Sequence, residues 1–402
     1  MNNQTSSGII EIFWRYLILG LASFGGPAAH MGYFRKLFVE QLNWINDQEY
    51  AKLIALSQFL PGPGSSQVGF AIGVQRGGLA GGIAAFLGFT LPSFLLLYFL
   101  SALTLSDQAA WFDGVIHGLK ILAVVVVLDA TLSMFNSFCK DKITTAVCTV
   151  SAATLMVMPS ITTQMLVLVF AAIVGVIYCK EVSSQSTAEA NSNLAENSDI
   201  KSNSRKLSKV KMVPLCLFAM LFLLLPVISN QSLWGELFAS FYSAGSLVFG
   251  GGHVVLPLLQ ETVGNNVAPD QFMLGYAAAQ AVPGPMFTVA AFLGAESMPE
   301  HAFLAATVAT LAIFLPGFLL VLAFQKSWVN LAKKPVVAGA VTGINAAVVG
   351  LLLSALYQPV FVNAVHSGVE MAAVIIGFMM LRLFKLPIVL LVVGFAVFGI
   401  TL

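Results

Sequence analysis

Long blocks of apolar residues, separated by short polar connections, run through most of the 402-residue chain. The clearest blocks cover residues 79–104, 110–135, 143–158 and 161–178, and each approaches the length of about 20 residues that a helix needs to cross a bilayer. Hydrophobic residues make up 58% of the chain and charged residues 9%, against about 25% charged residues in soluble domains. The pattern predicts an all-α polytopic membrane protein.

Three of the apolar blocks are interrupted by glycine and proline, at Gly25-Gly26-Pro27, Pro61-Gly62-Pro63 and Pro283-Gly284-Pro285. Proline removes a backbone donor and clashes with the preceding turn, and glycine adds backbone entropy, so these motifs break a helix. One Pro-Gly-Pro is compatible with a kinked packing helix, but two in matching positions favour functional breaks at a binding site between repeats. The broken segments are either full crossings with a central kink or re-entrant hairpins whose tips meet near the midplane.

The second half of the chain repeats the motifs of the first half in the same order and with a nearly constant offset, which indicates an internal duplication. The matched motifs are Phe24-Gly25-Gly26 and His30 with Phe249-Gly250-Gly251-Gly252 and His253, Gln58 and Pro61-Gly62-Pro63 with Gln280 and Pro283-Gly284-Pro285, Leu91-Pro92-Ser93-Phe94 with Leu315-Pro316-Gly317-Phe318, and Gly114 and Gly118 with Gly339 and Gly343.

The hydrophilic composition of one internal stretch divides the chain into four expected parts. These are an N-terminal repeat (8–180), a cytoplasmic hydrophilic linker (181–211), an extra transmembrane helix (212–229) and a C-terminal repeat (230–402). The extra crossing inverts the second repeat, and every basic loop then lies in the cytoplasm, as the positive-inside rule requires. We therefore predict two inverted-topology repeats with broken helices, a cytoplasmic N-terminus and an external C-terminus.

Each helix that restarts after a break presents unpaired N–H groups and a partial positive charge, which together make a candidate anion site. Glycine lets an oxyanion approach the backbone, and nearby hydroxyl groups either donate to the anion or bond the local backbone. Acidic residues are absent from the break motifs, which favours an anionic substrate over a cation. The candidate substrate-binding residues at the breaks are Gly25, Gly26, Gln58, Pro61, Gly62, Pro63, Gly64, Ser65, Ser66, Gly250, Gly251, Gly252, Gln280, Pro283, Gly284, Pro285 and Thr288.

Two histidines, one lysine and one asparagine extend this set of candidate substrate-binding residues. His30 and His253 each follow a glycine break, and each either serves function or is a neutral histidine bonded to a carbonyl group. Lys120 lies in an apolar segment and corresponds to Asn345 in the second half. The lysine either neutralises a substrate charge or extends its amine to the membrane surface.

Two further charged residues are candidates for energy coupling. Asp129 lies in the middle of an apolar segment and is the best candidate for proton coupling, unless it pairs with Lys120 or a hydroxyl group. Arg76 lies at a predicted membrane edge, where its alternative role is a topology anchor. The Gly-xxx-Gly pairs that begin at Gly77, Gly114 and Gly339 predict close helix packing.

Several function classes find no support in the sequence. The four cysteines show neither metal-ligand nor disulfide spacing, the two repeated histidines lack the spacing of a metal site, and the net charge of +1 offers no basic face for nucleic acid. We find no nucleophile–base set, phosphate loop or dinucleotide fingerprint, so we expect neither an enzyme nor a cofactor. Without an ATP-binding motif, transport would draw its energy from ion or voltage gradients.

The motifs Phe24-Gly25-Gly26-Pro27-Ala28-Ala29-His30 and Gln58-Phe59-Leu60-Pro61-Gly62-Pro63, with their second-half counterparts, strongly resemble the chromate ion transporter family in its two-domain form. The resemblance covers nearly the whole chain outside the linker, and Gly64 departs from it where many members have alanine. It implies a multi-pass protein of the bacterial inner membrane that exports chromate from the cytoplasm and confers chromate resistance. The expected partners are a small inorganic oxyanion and the lipid bilayer, and the oligomeric state is left open, a homodimer included. The alternatives are a carrier of sulfate or another oxyanion and a channel-like or structural membrane protein.

Overall fold

The computed structural model describes residues 2–24, 26–106, 110–178, 210–229, 232–249, 255–263, 266–328 and 334–402, and no β-strand occurs within these ranges. The predicted linker at 181–211 therefore lies almost wholly outside the described residues. The helices of the first half are α1 (Asn2–Ala22), α2 (Gly26–Phe34) with a π-helical continuation (Arg35–Gln41), α3 (Asp47–Phe59), α4 (Gly64–Ser106), α5 (Ala110–Phe138), α6 (Lys142–Val157) and α7 (Ile161–Tyr178).

The second half begins with the additional apolar helix that the sequence predicted. Short 3₁₀ turns (Met286–Thr288 and Pro299–His301) and a π-helical turn (Leu356–Phe361) join some of its helices. The helices are α8 (Met212–Ile228), α9 (Leu233–Leu247), α10 (Val255–Val263), α11 (Pro269–Ala281), α12 (Val289–Ser297), α13 (Ala302–Phe324), α14 (Pro335–Ala355), α15 (Gly368–Arg382) and α16 (Ile388–Thr401).

Four segments of the described chain are long and apolar enough to cross a membrane: Gly64–Leu103, Gly114–Phe138, Pro299–Phe324 and Pro335–Phe361. Shorter apolar helices accompany them, and many of their large hydrophobic side chains face outward. An outward apolar surface suits lipid, which offers no hydrogen-bond partner for an exposed backbone. The prediction of an all-α polytopic membrane protein is confirmed.

The glycine and proline motifs divide the chain into short helices that fold back on one another. Both α3 and α11 have 13 residues, or about 20 Å, which is less than a bilayer crossing. A Cβ atom added to Gly275 before the second Pro-Gly-Pro would lie 2.5 Å from the Phe292 ring beyond it, although a continuous helix would place these residues roughly 25 Å apart. α11 and α12 therefore lie side by side.

The first half folds back in the same way. The rings of Tyr16 and Phe38, on either side of the Gly-Gly break, stack with centroids 4.8 Å apart. The Arg76 guanidinium lies 5.2 Å from the centre of the Trp44 ring, across the first Pro-Gly-Pro. Continuous helices would separate the two pairs by roughly 33 Å and 48 Å, respectively. These contacts favour hairpins over the alternative of full crossings with a central kink.

A third reversal lies inside α4, where Gly77 and Gly78 leave the helical conformation and Gly78 takes φ +63°. A Cβ atom on Gly81 would lie within contact distance of the Gly73 carbonyl group, so the two arms of α4 pack backbone to backbone. The predicted packing role of the Gly77-xxx-Gly81 pair is confirmed at Gly81. Gly78 instead provides the left-handed conformation that the bend requires.

The two halves contact each other reciprocally at the breaks. The Gly62 N–H donates to the Val248 carbonyl group at 2.7 Å, and the Gly284 N–H donates to the Ser23 carbonyl group at 2.9 Å. Ser23 and Val248 are the residues directly before the repeated Phe-Gly-Gly motifs. Each Pro-Gly-Pro tip is therefore bonded to the Gly-Gly break of the other half. Reciprocal contacts of this kind are what a two-fold axis between the halves produces.

The glycine pairs on α5 and α14 also make equivalent contacts. A Cβ atom on Gly118 or on Gly343 would overlap a carbonyl oxygen of a neighbouring helix, that of Phe395 on α16 or of Ala171 on α7, respectively. The predicted close packing at these two motifs is confirmed. Side chains with a Cβ atom would force both helix pairs apart, so glycine sets the distance between them.

Candidate functional site

A cavity of about 480 Å³, hereafter cavity 1, brings together predicted residues from both halves. Gly26 at the first turn of α2, Gln280 at the end of α11 and Gly284 at the second Pro-Gly-Pro tip line its walls. Asp129 on α5 and Lys385, between α15 and α16, line it as well. The cavity is far larger than a tetrahedral oxyanion and adjoins two of the four breaks.

Asp129, which lines cavity 1, is paired with an arginine that the sequence did not predict. The Arg382 guanidinium donates to Asp129 Oδ1 at 2.8 Å, and both side chains are about one-third exposed, at 39% and 34%. The alternative pairing of Asp129 with Lys120 does not occur, because Lys120 bonds Asp270. Partly exposed pairs of this kind contribute about 0–1 kcal/mol, so the bond between Arg382 and Asp129 is easily exchanged.

Lys385 takes a backbone conformation that is unusual for a residue with a side chain. Its φ is +51°, in the left-handed region, just beyond the end of α15. Helices commonly end in glycine at such a position, and another residue there costs on the order of 1–2 kcal/mol. Lys385 therefore brings a basic residue, in a strained backbone conformation, to the lining of cavity 1.

A second cavity, of about 210 Å³ and hereafter cavity 2, is built from the equivalent helices of the opposite halves. The offset that maps Gly114 onto Gly339 also maps Asp129 onto Ser354 and Val389 onto Gln164, and both of these counterparts line cavity 2. Glu261 of α10 is its acidic residue, and no lysine or arginine of the described chain lines it. The two cavities share a scaffold and differ in charge.

His30 is fully buried beside the first Gly-Gly break. Its Nε2 lies 3.3 Å from the Ser23 carbonyl oxygen and its Nδ1 lies 3.2 Å from Ser65 Oγ. A carbonyl oxygen only accepts, so Nε2–H donates to Ser23, and in a neutral ring Nδ1 accepts from the Ser65 hydroxyl group. His30 thus joins the break to the first turn of α4, and the Ser65 proton is used in this contact.

The other predicted hydroxyl groups divide between the two alternatives. Thr288 Oγ1 donates to the Pro285 carbonyl oxygen at 2.5 Å and therefore satisfies the local backbone. Ser66 Oγ is buried and has no hydrogen-bond partner among the described residues, as is also true of Ser23 Oγ. Ser66 therefore remains available to an anion that reaches the first Pro-Gly-Pro tip.

The two tips are filled differently. A Cβ atom on Gly62 would lie 3.0 Å from Gly317 Cα, whereas one on Gly284 would lie 2.8 Å from Ser93 Oγ. Ser93 and Gly317 are equivalent residues, each directly after a proline within a long helix. Gln67, which the sequence analysis missed, fills the space beside the first tip and donates to the Pro61 carbonyl oxygen at 2.9 Å. The glycines at the tips are thus required for packing.

Several predicted residues lie away from cavity 1. Lys120 is buried and bonds Asp270 Oδ1 at 2.5 Å, on the first turn of α11. Its counterpart Asn345 is buried with Oδ1 unbonded among the described residues. Gln58 is exposed, although its counterpart Gln280 is buried. Arg76 is exposed at the Trp44 ring, a position that favours its alternative role as an edge anchor.

The remaining predicted residues fall into two groups. Pro61, Pro63, Pro283 and Pro285 flank the two tip glycines, and Gly64 begins α4. The residues outside the described ranges are Gly25, Gly250, Gly251, Gly252 and His253. At the first Gly-Gly break the structure therefore describes Gly26. At the second break it describes the chain before the glycines, which includes Val248.

Short helices that meet at glycine and proline breaks, with a polar cavity beside them, define a class of polytopic membrane transport protein. The family profile of chromate transporters matches residues 10–176 and again residues 235–400. The chain belongs to the chromate transporter family, whose members are transporters. The two matched regions lie within the two halves of the sequence repeat.

Relatives from three bacteria align over most of the chain. A probable chromate transport protein of Synechococcus elongatus is 28% identical, over 85% of this chain and 81% of its own length. Chromate transport proteins of Pseudomonas aeruginosa and Cupriavidus metallidurans are 26% and 24% identical, over 85% and 97% of this chain and 79% and 92% of their own lengths. No solved structure matches the chain significantly.

Arg382 and Lys385 are the functional candidates that sequence reasoning missed. In the sequence they are two basic residues of one of the loops that the positive-inside rule assigns to the cytoplasm. The signal that could have found them is the comparison of the repeats, since the equivalent residues of the first half are Val157 and Ser160. Because only the second half has this basic pair, the pair is not needed for the helix arrangement that the two halves share.

Proposed function

We propose that the protein is a secondary carrier of the bacterial inner membrane that exports chromate from the cytoplasm and thereby confers chromate resistance. The observation that carries this proposal is cavity 1, where break residues of both halves meet beside a lysine. Membership of the chromate transporter family supports the substrate. The path for the anion would run through cavity 1, past the tips at Gly62 and Gly284, to cavity 2.

The proposal includes inverted repeats, with cavity 1 open to the cytoplasm and cavity 2 open to the outside. Three features support it: the reciprocal bonds between tips and breaks, the equivalence of the two cavities, and two basic residues, of which Lys385 lines cavity 1 and Arg382 bonds its Asp129. Basic loops favour the cytoplasmic side. Alternating access would then open the larger and the smaller cavity in turn.

Voltage alone supplies enough energy for export. Chromate is largely a dianion above neutral pH, and one charge that crosses 100 mV gains about 2.3 kcal/mol. Two charges therefore gain roughly 4.6 kcal/mol on leaving an inside-negative cell, which sustains a gradient on the order of a thousandfold. Proton-coupled exchange through His30, His253 or Asp129 is the competing mechanism.

The test is chromate flux in proteoliposomes that hold the purified full chain. We expect saturable flux that rises when the chromate-containing side is made negative by a potassium diffusion potential. The dependence of flux on voltage should vanish when valinomycin is present at equal potassium concentrations on the two sides. Flux that ignores voltage but follows a pH gradient would instead establish proton-coupled exchange, and flux that does not saturate would identify a channel.

Sulfate is the second candidate substrate, because it is also a tetrahedral dianion. Competition separates the two. If chromate is the physiological substrate, excess sulfate inhibits chromate flux only weakly. Inhibition at equimolar sulfate would make the protein a general oxyanion carrier.

A further inference from the structure

We propose that Arg382 and Lys385 form an anion-capturing mouth of cavity 1, in which an incoming dianion displaces Asp129 from Arg382. The inference rests on the proposed function and adds to it the residues that select for charge. It concerns residues that the break motifs do not include.

Cavity 1 has one basic residue in its lining and a second basic residue bonded to its acidic residue. Lys385 and Asp129 both line cavity 1, and Arg382 is bonded to Asp129 at 2.8 Å. The pair is partly exposed, so water screens it and its bond is weak. A dianion offers Arg382 more charge than a single carboxylate and can accept two parallel N–H bonds from the guanidinium.

The backbone of Lys385 is a second, independent observation. Its φ of +51° would suit glycine, yet the position holds a lysine, and this residue is one of those that line the cavity. Residues kept in strained conformations cluster at functional sites, where the surrounding structure holds them in place. The fold would be at least as stable with glycine there, so the side chain itself points to a role in binding.

Cavity 2 supplies the internal comparison. The positions equivalent to Arg382, Lys385 and Asp129 are Val157, Ser160 and Ser354, none of which is charged. Glu261 adds an acidic group instead. The mouth of cavity 1 therefore attracts an oxyanion, and the opposite cavity holds it weakly and releases it. This difference suits capture at low concentration on one side and release on the other.

The experiment measures chromate binding to the purified full chain by calorimetry, together with the KM of chromate flux. The double variant Arg382→Gln/Lys385→Gln should raise both the Kd and the KM by about tenfold or more, as expected from the loss of charge-assisted hydrogen bonds. Lys334→Gln is the matched control, because it removes a basic charge that does not line cavity 1. The control should stay within about twofold of the wild type.

Two further variants separate binding from folding. Lys385→Gly should keep or raise the thermal stability and still weaken chromate binding. Asp129→Asn frees Arg382 and should tighten binding, the opposite sign to the double variant. Wild-type Kd and KM values in the folded double variant would overturn this inference and leave the proposed carrier function intact. A wild-type protein that neither binds nor moves chromate would overturn both.

Discussion

The two Pro-Gly-Pro tips and the two cavities differ in how closely the duplicated halves still resemble each other. At the tips the backbone contacts correspond residue for residue, through Gly62 with Val248 and Gly284 with Ser23. At the cavities the helices correspond, but the charged side chains do not. Geometry is shared where the backbone requires it, and the charged residues have diverged where the two cavities lie.

The largest expected effect comes from a Cβ atom at a tip. Gly62→Ala should cost about 3 kcal/mol or more, because φ is +123° and the new atom would lie 3.0 Å from Gly317 Cα. Gly64→Ala is the matched control, since its nearest contact would be 3.6 Å. The thermal unfolding temperature in detergent and the chromate flux should both fall sharply for Gly62→Ala and change little for Gly64→Ala. Equal stability and flux in the two alanine variants would contradict the packing role of Gly62.

An exchange of the residues that face the tips should reveal the difference between the halves. Gly317→Ser places a side chain 3.0 Å from Pro63 Cδ and 3.1 Å from Gln67 Nε2, at a cost of about 1–3 kcal/mol. Ser93→Gly only removes atoms beside Gly284 and should cost less. Measured unfolding free energies in that order would show that the first tip is the tighter one. The reverse order would show that the second tip depends on Ser93.

The bond between Lys120 and Asp270 should respond unequally to the loss of either partner. Asp270→Asn leaves a buried ammonium without its counter-charge and should cost about 1–3 kcal/mol. Lys120→Asn installs the residue of the second half, and the remaining carboxylate is 67% exposed, so water replaces its partner. Thermal stability of the two variants is the readout. A larger loss for Lys120→Asn would indicate that the lysine also serves transport or packing.

The smallest expected effect concerns the buried hydroxyl groups after the first tip. Ser66→Ala removes a group without a partner in the described chain, so the stability should not fall. If the hydroxyl group donates to the passing anion, chromate affinity should drop by about 1 kcal/mol. Ser65→Ala is the counterpart, since its loss removes the bond to His30 and should lower stability. Unchanged flux kinetics in Ser66→Ala would place the anion path elsewhere.

Much of the scaffold could be predicted because local chemistry fixes it. A helix cannot continue through Pro-Gly-Pro, and the glycine pairs on α5 and α14 fit only a close neighbour. Long-range pairs could not be predicted in this way. Asp129 meets Arg382 from a helix far along the chain, and nothing in the segment around Asp129 favours that partner over Lys120.

The sequence repeat also predicts where a residue lies along the backbone better than it predicts whether the residue is buried. Gln58 and Gln280 occupy the same place before the two tips, yet the first is exposed and the second is buried at cavity 1. Equivalent backbones had different neighbours because the loops, turns and additional helix around them differ. Site residues carried from one half to the other therefore need the three-dimensional structure before they are assigned a role.

The most direct test of the central claim asks whether equivalent positions of the two halves face opposite sides of the membrane. Met158 after α6 and Leu383 after α15 are equivalent and similarly exposed, at 63% and 67%. Each would be changed to cysteine in a chain without its native cysteines, and intact cells would be treated with an impermeant maleimide. We predict that the cysteine at 158 reacts from outside and that the cysteine at 383 reacts only after lysis. Reaction of both from the same side would contradict inverted repeats and the assignment of the two cavities to opposite faces.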